Sequence, residues 1–148
     1  MISYEEIPRN PQVAKSLIGM SLAEFEELYS EVETAHNQRQ SVLRYTRRDK
    51  VRRQRAVGAG RKHKHALQDR LLMTLFWLRI HTTYEVLGLL FGVDKTTAAR
   101  DVKEIYETLA GMPGFEPDHL QADVPKLHSV QEVIDALPDI QLVLHAGK

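Results

Sequence analysis

The chain has 148 residues, enough for one ordinary domain or one small domain with appendages, and its formal net charge is zero. It has no cysteine, which excludes a disulfide framework and a thiolate metal site. No apolar run approaches the roughly 18 residues of a membrane span, and the N-terminal MISYEEIPRN lacks the charged-then-apolar pattern of a signal peptide, so the cytoplasm is the expected location.

The zero hides a strong asymmetry. Residues 1–38 carry two basic and seven acidic side chains, a charge of −5. Residues 39–65 carry eleven basic and one acidic, a charge of +10. Residues 66–112 come to −1 and residues 113–148 to −4. More than half of the Lys and Arg therefore sit in one short stretch, which points to a polyanionic partner, with nucleic acid first.

In chain order, SLAEFEELYSEVE opens an amphipathic helix. Ser21 and Glu24 have capping-box spacing, and Leu22, Phe25, Leu28, Tyr29 and Val32 recur on one face. Glu24, Glu27 and Glu31 occupy the other face. The helix either packs on the rest of the chain or meets a second copy. RQSVLRYTRRDKVRRQRAVGAGRKHKH follows. Its first part can continue as a solvated helix, and Gly58 and Gly60 end it. Residues 58–65 then read as a basic arm. GAGRK lacks the spacing and the Lys-Ser/Thr of a phosphate loop, but suits an arm entering a minor groove. Arg52, Arg53, Arg55, Arg61, Lys62 and Lys64 are its candidate phosphate contacts. His63 and His65, two apart among lysines, lack further ligands, so no metal and no cofactor is expected.

ALQDRLLMTLFWLRIH is apolar almost all round, and is therefore the predicted central helix, with Trp77 a core residue. Thr82 and Glu85 have capping-box spacing for a short helix ending near Leu90, its apolar face made of Val86, Leu87, Leu89 and Leu90. Gly88 costs helix propensity, about 1 kcal/mol against Ala, and would permit a close approach by another helix. Gly92 supplies a positive φ, Val93 plugs the corner, and Asp94 caps a new helix. Ala98, Val102, Ile105 and Leu109 form the buried face of that helix, and Gly111, Met112, Pro113 and Gly114 stop it.

The break at Gly92 thus makes a helix-turn-helix corner. It puts Lys95, Thr96, Thr97 and Arg100 on the first turns of the second helix, with Lys103 one turn further. Those positions face base edges when such a helix enters a major groove. Arginine suits guanine, and threonine suits a thymine methyl group or a phosphate. Double-stranded DNA is the expected partner, and the fold class is an all-α helix-turn-helix bundle with an amphipathic N-terminal helix, a basic arm and a short C-terminal helix plus a lone strand. The strand is read at residues 140–144, after a helix at 130–137.

GAGRK, DRLLMTLFWLR, TYEVLGLLFGV and K-T-T-A-x-R resemble the N-terminal helix-turn-helix region of bacterial DDE-type insertion-sequence transposases of IS family five, and the resemblance extends over residues 1 to about 145. It implies binding to the terminal inverted repeats of a mobile element, with cutting done by a downstream ribonuclease-H-like domain that holds three metal-binding acids. Asp94 stands where the family often has serine. Asp101 departs from the family as well, and helical spacing puts its carboxylate on the DNA-facing half, where it either pairs with a cation or accepts from cytosine.

The expected organisation is an acidic N-terminal helical segment at 1–38, a basic helix and arm at 39–65, the helix-turn-helix at 66–112, and a connector at 113–148 that begins the nuclease domain. Because the chain runs only to HAGK after the strand, that domain is expected to be absent, the chain being a first-frame product or a truncated remnant. No cluster of carboxylates and no Ser-His-Asp arrangement suggests catalysis, so the chain is expected to be a non-catalytic binding module. It would act alone, as a homodimer, or together with a nuclease-bearing transposase product. The alternative is a helix-turn-helix transcriptional regulator, or an inhibitor that dimerises with full-length transposase.

Overall fold

A computed structural model describes residues 2–50, 65–116 and 126–144, the side chains of 42–50, 142 and 144 excepted. A 3-10 turn at Tyr4–Glu6 precedes helices α1 (Pro11–Ile18), α2 (Leu22–Lys50), α3 (Leu67–Ile80), α4 (Tyr84–Phe91) and α5 (Lys95–Ala110). Helix α6 (Val130–Ala136), a 3-10 turn at Pro138–Ile140 and the single turn of α7 (Gln141–Leu144) follow among the described residues. The described residues are helical, without a strand.

α3 is the centre of the core. Its residues from Arg70 to Phe76 are all buried, which is why its sequence shows no polar face. α5 lays Ala98, Val102, Ile105 and Leu109 on it, α4 adds Val86, Leu87, Leu90 and Phe91, and α1 adds Val13, Ala14, Leu17 and Ile18. α2 contributes Phe25 and Val32 from the near side of a 29-residue helix. Its cap is the expected one, with Ser21 Oγ accepting from Glu24 N at 3.3 Å. α2 runs without a break through residue 38 into the basic stretch, as far as Lys50.

α1 has no counterpart in the pattern reading. Its signals are terminal: Pro at the first helical position and Gly19 at the C-cap with φ 75°. The expected strand at 140–144 is corrected to helix. Pro138 starts a 3-10 turn, and Ile140 and Val143, three apart, are both buried. Helical spacing thus buries the apolar pair without leaving the open strand edges that an unpaired strand presents. The predicted helix before it is present and ends at Ala136, with Ser129 capping Glu132 N at 3.1 Å. This C-terminal segment joins the same core through Leu127, Val133, Ile140 and Val143, and Asp139 accepts a hydrogen bond from Ser16 of α1.

Candidate nucleic-acid interface

The corner between α4 and α5 is built by Gly88, Gly92, Val93 and Asp94. Thr83, not Thr82, caps α4, its hydroxyl accepting from Val86 N at 3.2 Å. Thr82 is buried instead. Gly92 takes φ 75°, and the N–H groups of Gly92 and Val93 both reach the Gly88 carbonyl, at 2.8 and 3.0 Å. That closure brings the turn down onto Gly88. A Cβ there would lie 2.4 Å from the Val93 carbonyl oxygen. The small residue therefore admits the turn's own backbone, not a neighbouring helix. Asp94 then starts α5, its carboxylate accepting from Thr97 N at 2.6 Å. Asp94→Ala should cost about 1 kcal/mol of stability, read as a lowered urea midpoint. An unchanged midpoint would mean the cap does not hold the helix start.

α4 ends beside two further supports. Ile2 N donates to Leu90 O at 2.8 Å, and His65 Nε2 lies 2.6 Å from Phe91 O. Leu89, expected on the buried face of α4, is 67% exposed. The helix needs only Val86, Leu87, Leu90 and Phe91 to cover the core.

α5 separates its charges by face. Lys95, Thr96, Arg100 and Lys103 are exposed, while Thr97 is half-buried at the edge. These five lie on the first two and a half turns, as the pattern predicts. Ala99 sits among them, half-buried, and Tyr106 extends the same strip with 38% exposure. Neither was picked out from sequence. The signal for Tyr106 was its position three residues after Lys103, on the same helical face.

Asp101 and Glu104 of α5 turn the other way, while Glu107 is exposed one turn beyond Lys103 on the same side. Asp101 is fully buried and faces Arg70 of α3, with Nε to Oδ1 at 3.7 Å. Its expected place on the DNA-facing half is thereby corrected, and of the two partners considered, the cation is present. Glu104 meets Arg70 at 2.9 Å and His36 of α2 at 3.9 Å. Glu107 pairs with Arg39 of α2. The Arg39 hydrogen bond holds the Glu107 carboxyl below the usual carboxylate range. A lowered carboxylate is charged at neutral pH, so this contact is intact there and is lost as pH falls through that lowered value. α2 and α3 thus neutralise the acids of α5, and leave its outer face with Lys95, Arg100 and Lys103 around small polar side chains.

Arg52, Arg53, Arg55, Arg61, Lys62 and Lys64, the expected phosphate contacts, lie outside the described residues, as do GAGRK and His63. Trp77 is half-buried and stacks on Tyr84 at 5.8 Å and 10° between ring planes, a packing role. Among the described residues no group of three or more His, Asp or Glu is placed to hold a metal, and no helix is long and apolar enough to cross a membrane.

The corner and the charge-split second helix define a helix-turn-helix of the DNA-binding kind. Residues 66–115 match a family model, the helix-turn-helix of DDE superfamily endonuclease. That segment, about a third of the chain, covers α3, α4, α5 and the stop after them, and the match supports a transposase-like DNA-binding domain. No curated protein and no solved structure matches the chain.

Proposed function

We propose that this chain binds double-stranded DNA at the terminal inverted repeats of a mobile element, with α5 in the major groove and the basic segment on the flanking phosphates. The observation that carries the reading is the charge division over the first three turns of α5: Lys95, Arg100 and Lys103 point outward, Asp101 and Glu104 turn to Arg70 of α3, and the exposed Glu107, paired with Arg39, comes only one turn further on. Lys95, Thr96, Arg100 and Lys103 make the base-reading and phosphate contacts, with Thr97 at the edge of the strip. The N-terminus of α5 adds a partial positive charge where a phosphate can approach. In this reading the domain binds and a ribonuclease-H-like nuclease cuts. The chain meets that nuclease, or a second copy of itself, on the DNA ends.

The test is fluorescence anisotropy of the full chain on a terminal-repeat duplex and on a scrambled duplex, over a salt series. If about 6 to 10 phosphates are neutralised, affinity for either duplex falls roughly 10³- to 10⁵-fold between 50 and 200 mM salt. Preference for the repeat should persist through that range. Equal, salt-labile binding to both duplexes would overturn the sequence-reading role. Arg100→Ala should reduce the preference by about 1–3 kcal/mol if it reads a guanine. An equal loss on both duplexes would make Arg100 a phosphate contact.

A further inference from the structure

The described tyrosines differ in what the fold asks of them. Tyr4 stacks on Phe25 and donates its hydroxyl to Glu26 at 2.9 Å. Tyr29 donates to Glu33, also at 2.9 Å. Tyr84 stacks on Trp77. Tyr106 has neither a ring partner nor a hydroxyl partner among the described residues, and it is 38% exposed. An aromatic ring held in solvent with a spare donor contributes little to the core.

Its place on α5 is more telling than its exposure. Tyr106 lies eleven residues after Lys95 and seven after Ala99, spacings that return to one face of a helix, and three after Lys103. The charged residues that share this face of α5 are Lys95 and Lys103, both exposed cations. Glu107, the next residue, is turned about 100° round the helix axis, and its charge is met by Arg39 of α2. The donor therefore stands at the far end of a face whose charges are positive.

We propose that the Tyr106 hydroxyl donates a hydrogen bond to a phosphate oxygen of the DNA backbone, where α5 leaves the major groove. The proposal rests on the DNA-binding reading above. The first turns of a reading helix meet base edges, and its later turns approach the backbone. Tyr106 comes six residues after Arg100, about 9 Å further along the helix axis, beside a groove about 12 Å wide. That advance carries a side chain from the base edges to the groove wall. A phenol supplies one donor and no charge, and tyrosine is among the side chains that bond phosphate oxygens. Such a contact fixes the orientation of α5 in the groove and reads no base.

The experiment compares the full-length wild type with Tyr106→Phe on the terminal-repeat and scrambled duplexes, over a salt series, with a thermal melt of each protein. The variant removes only the hydroxyl, so the melts should coincide. Affinity should fall about 10-fold on both duplexes, the loss of one hydrogen bond to a charged acceptor. The salt slope should stay unchanged, because a neutral donor releases no counterion. A scan of single methylphosphonates along the repeat should then find one phosphate whose neutralisation weakens the wild type and leaves Tyr106→Phe unaffected. Equal affinity of the two proteins would overturn the contact, and so would a loss confined to the repeat, which marks a base contact. A wild type that binds neither duplex at low salt would remove the DNA-binding reading, and the contact with it. A wild type that binds both duplexes equally would remove sequence reading alone, and the tyrosine comparison would still decide the phosphate contact.

Discussion

Gly88→Ala should destabilise the protein by about 1–2 kcal/mol net and abolish preference for the terminal repeat. The added Cβ would sit 2.4 Å from the Val93 carbonyl oxygen and 3.3 Å from two backbone atoms of Asp94. The obstructing atoms are backbone, so no side-chain rotation relieves them. Overpacking of this kind costs about 1–3 kcal/mol and occasionally more. The gain of about 1 kcal/mol that alanine brings to a helix interior offsets only part of it. Relief requires the turn to lift off α4, which strains the paired bonds to the Gly88 carbonyl and shifts Asp94, the cap from which α5 starts. Gly111→Ala is the control. Gly111 has φ −83°, and an added Cβ there would come no nearer than 3.7 Å to other atoms. It should be neutral in urea unfolding and in DNA binding. Equal behaviour of the two variants would mean the corner is not closed against Gly88.

Arg70→Met should cost about 3–5 kcal/mol, the largest expected effect of a single side chain here. Arg70 is buried between the Asp101 and Glu104 carboxylates. Taking away one partner of a buried ion pair leaves the other charge without its compensation, and that is far worse than never having had the pair. The double variant Arg70→Met, Asp101→Leu tests this cause. It removes the stranded charge along with the cation and should recover much of the loss, because apolar replacement of a buried pair is often close to neutral. Double-variant unfolding equal to the sum of the single losses would show that the two residues do not interact. α5 is held to α3 through this cluster, so Arg70→Met should also weaken repeat preference more than it weakens binding to scrambled DNA.

The corner was legible because each of its parts is local. Gly92, Asp94 and the 98, 102, 105, 109 periodicity lie within 18 residues, and cap chemistry and helical spacing are properties of neighbours. α3 was legible for a similar reason: a helix apolar on every side has to be surrounded. What escaped depended on distant partners. Asp101, three residues after Ala98 and four before Ile105, has the spacing of the buried face, but its charge argued for exposure because the cation that accommodates it lies on α3. Leu89 looked buried because an apolar residue beside three buried ones fits the same stripe, whereas the α4 stripe is narrow. The capping residue of α4 fell one place from its expected position since Thr82 and Thr83 both offer a hydroxyl, and only the backbone geometry selects between them. Residues 140–144 carry β-branched and leucine side chains that suit either state. Their helical state follows from Pro138 and from the buried spacing of Ile140 and Val143, which tertiary packing sets. In the site, Lys95, Thr96, Arg100 and Lys103 fall on the exposed strip where spacing put them, while the contacts of Arg39 with Glu107 and of His65 with Phe91 needed the folded chain.

The most direct measurement is an amide chemical-shift titration of the ¹⁵N-labelled full chain with the terminal-repeat duplex. The largest changes are expected along the outer face of α5, at Lys95, Thr96, Arg100 and Lys103, together with the basic segment, and little change at the buried face around Ala98 and Ile105. Changes confined to the basic segment, with α5 silent, would contradict it: the chain would hold DNA by charge alone, and the helix-turn-helix corner would not read it.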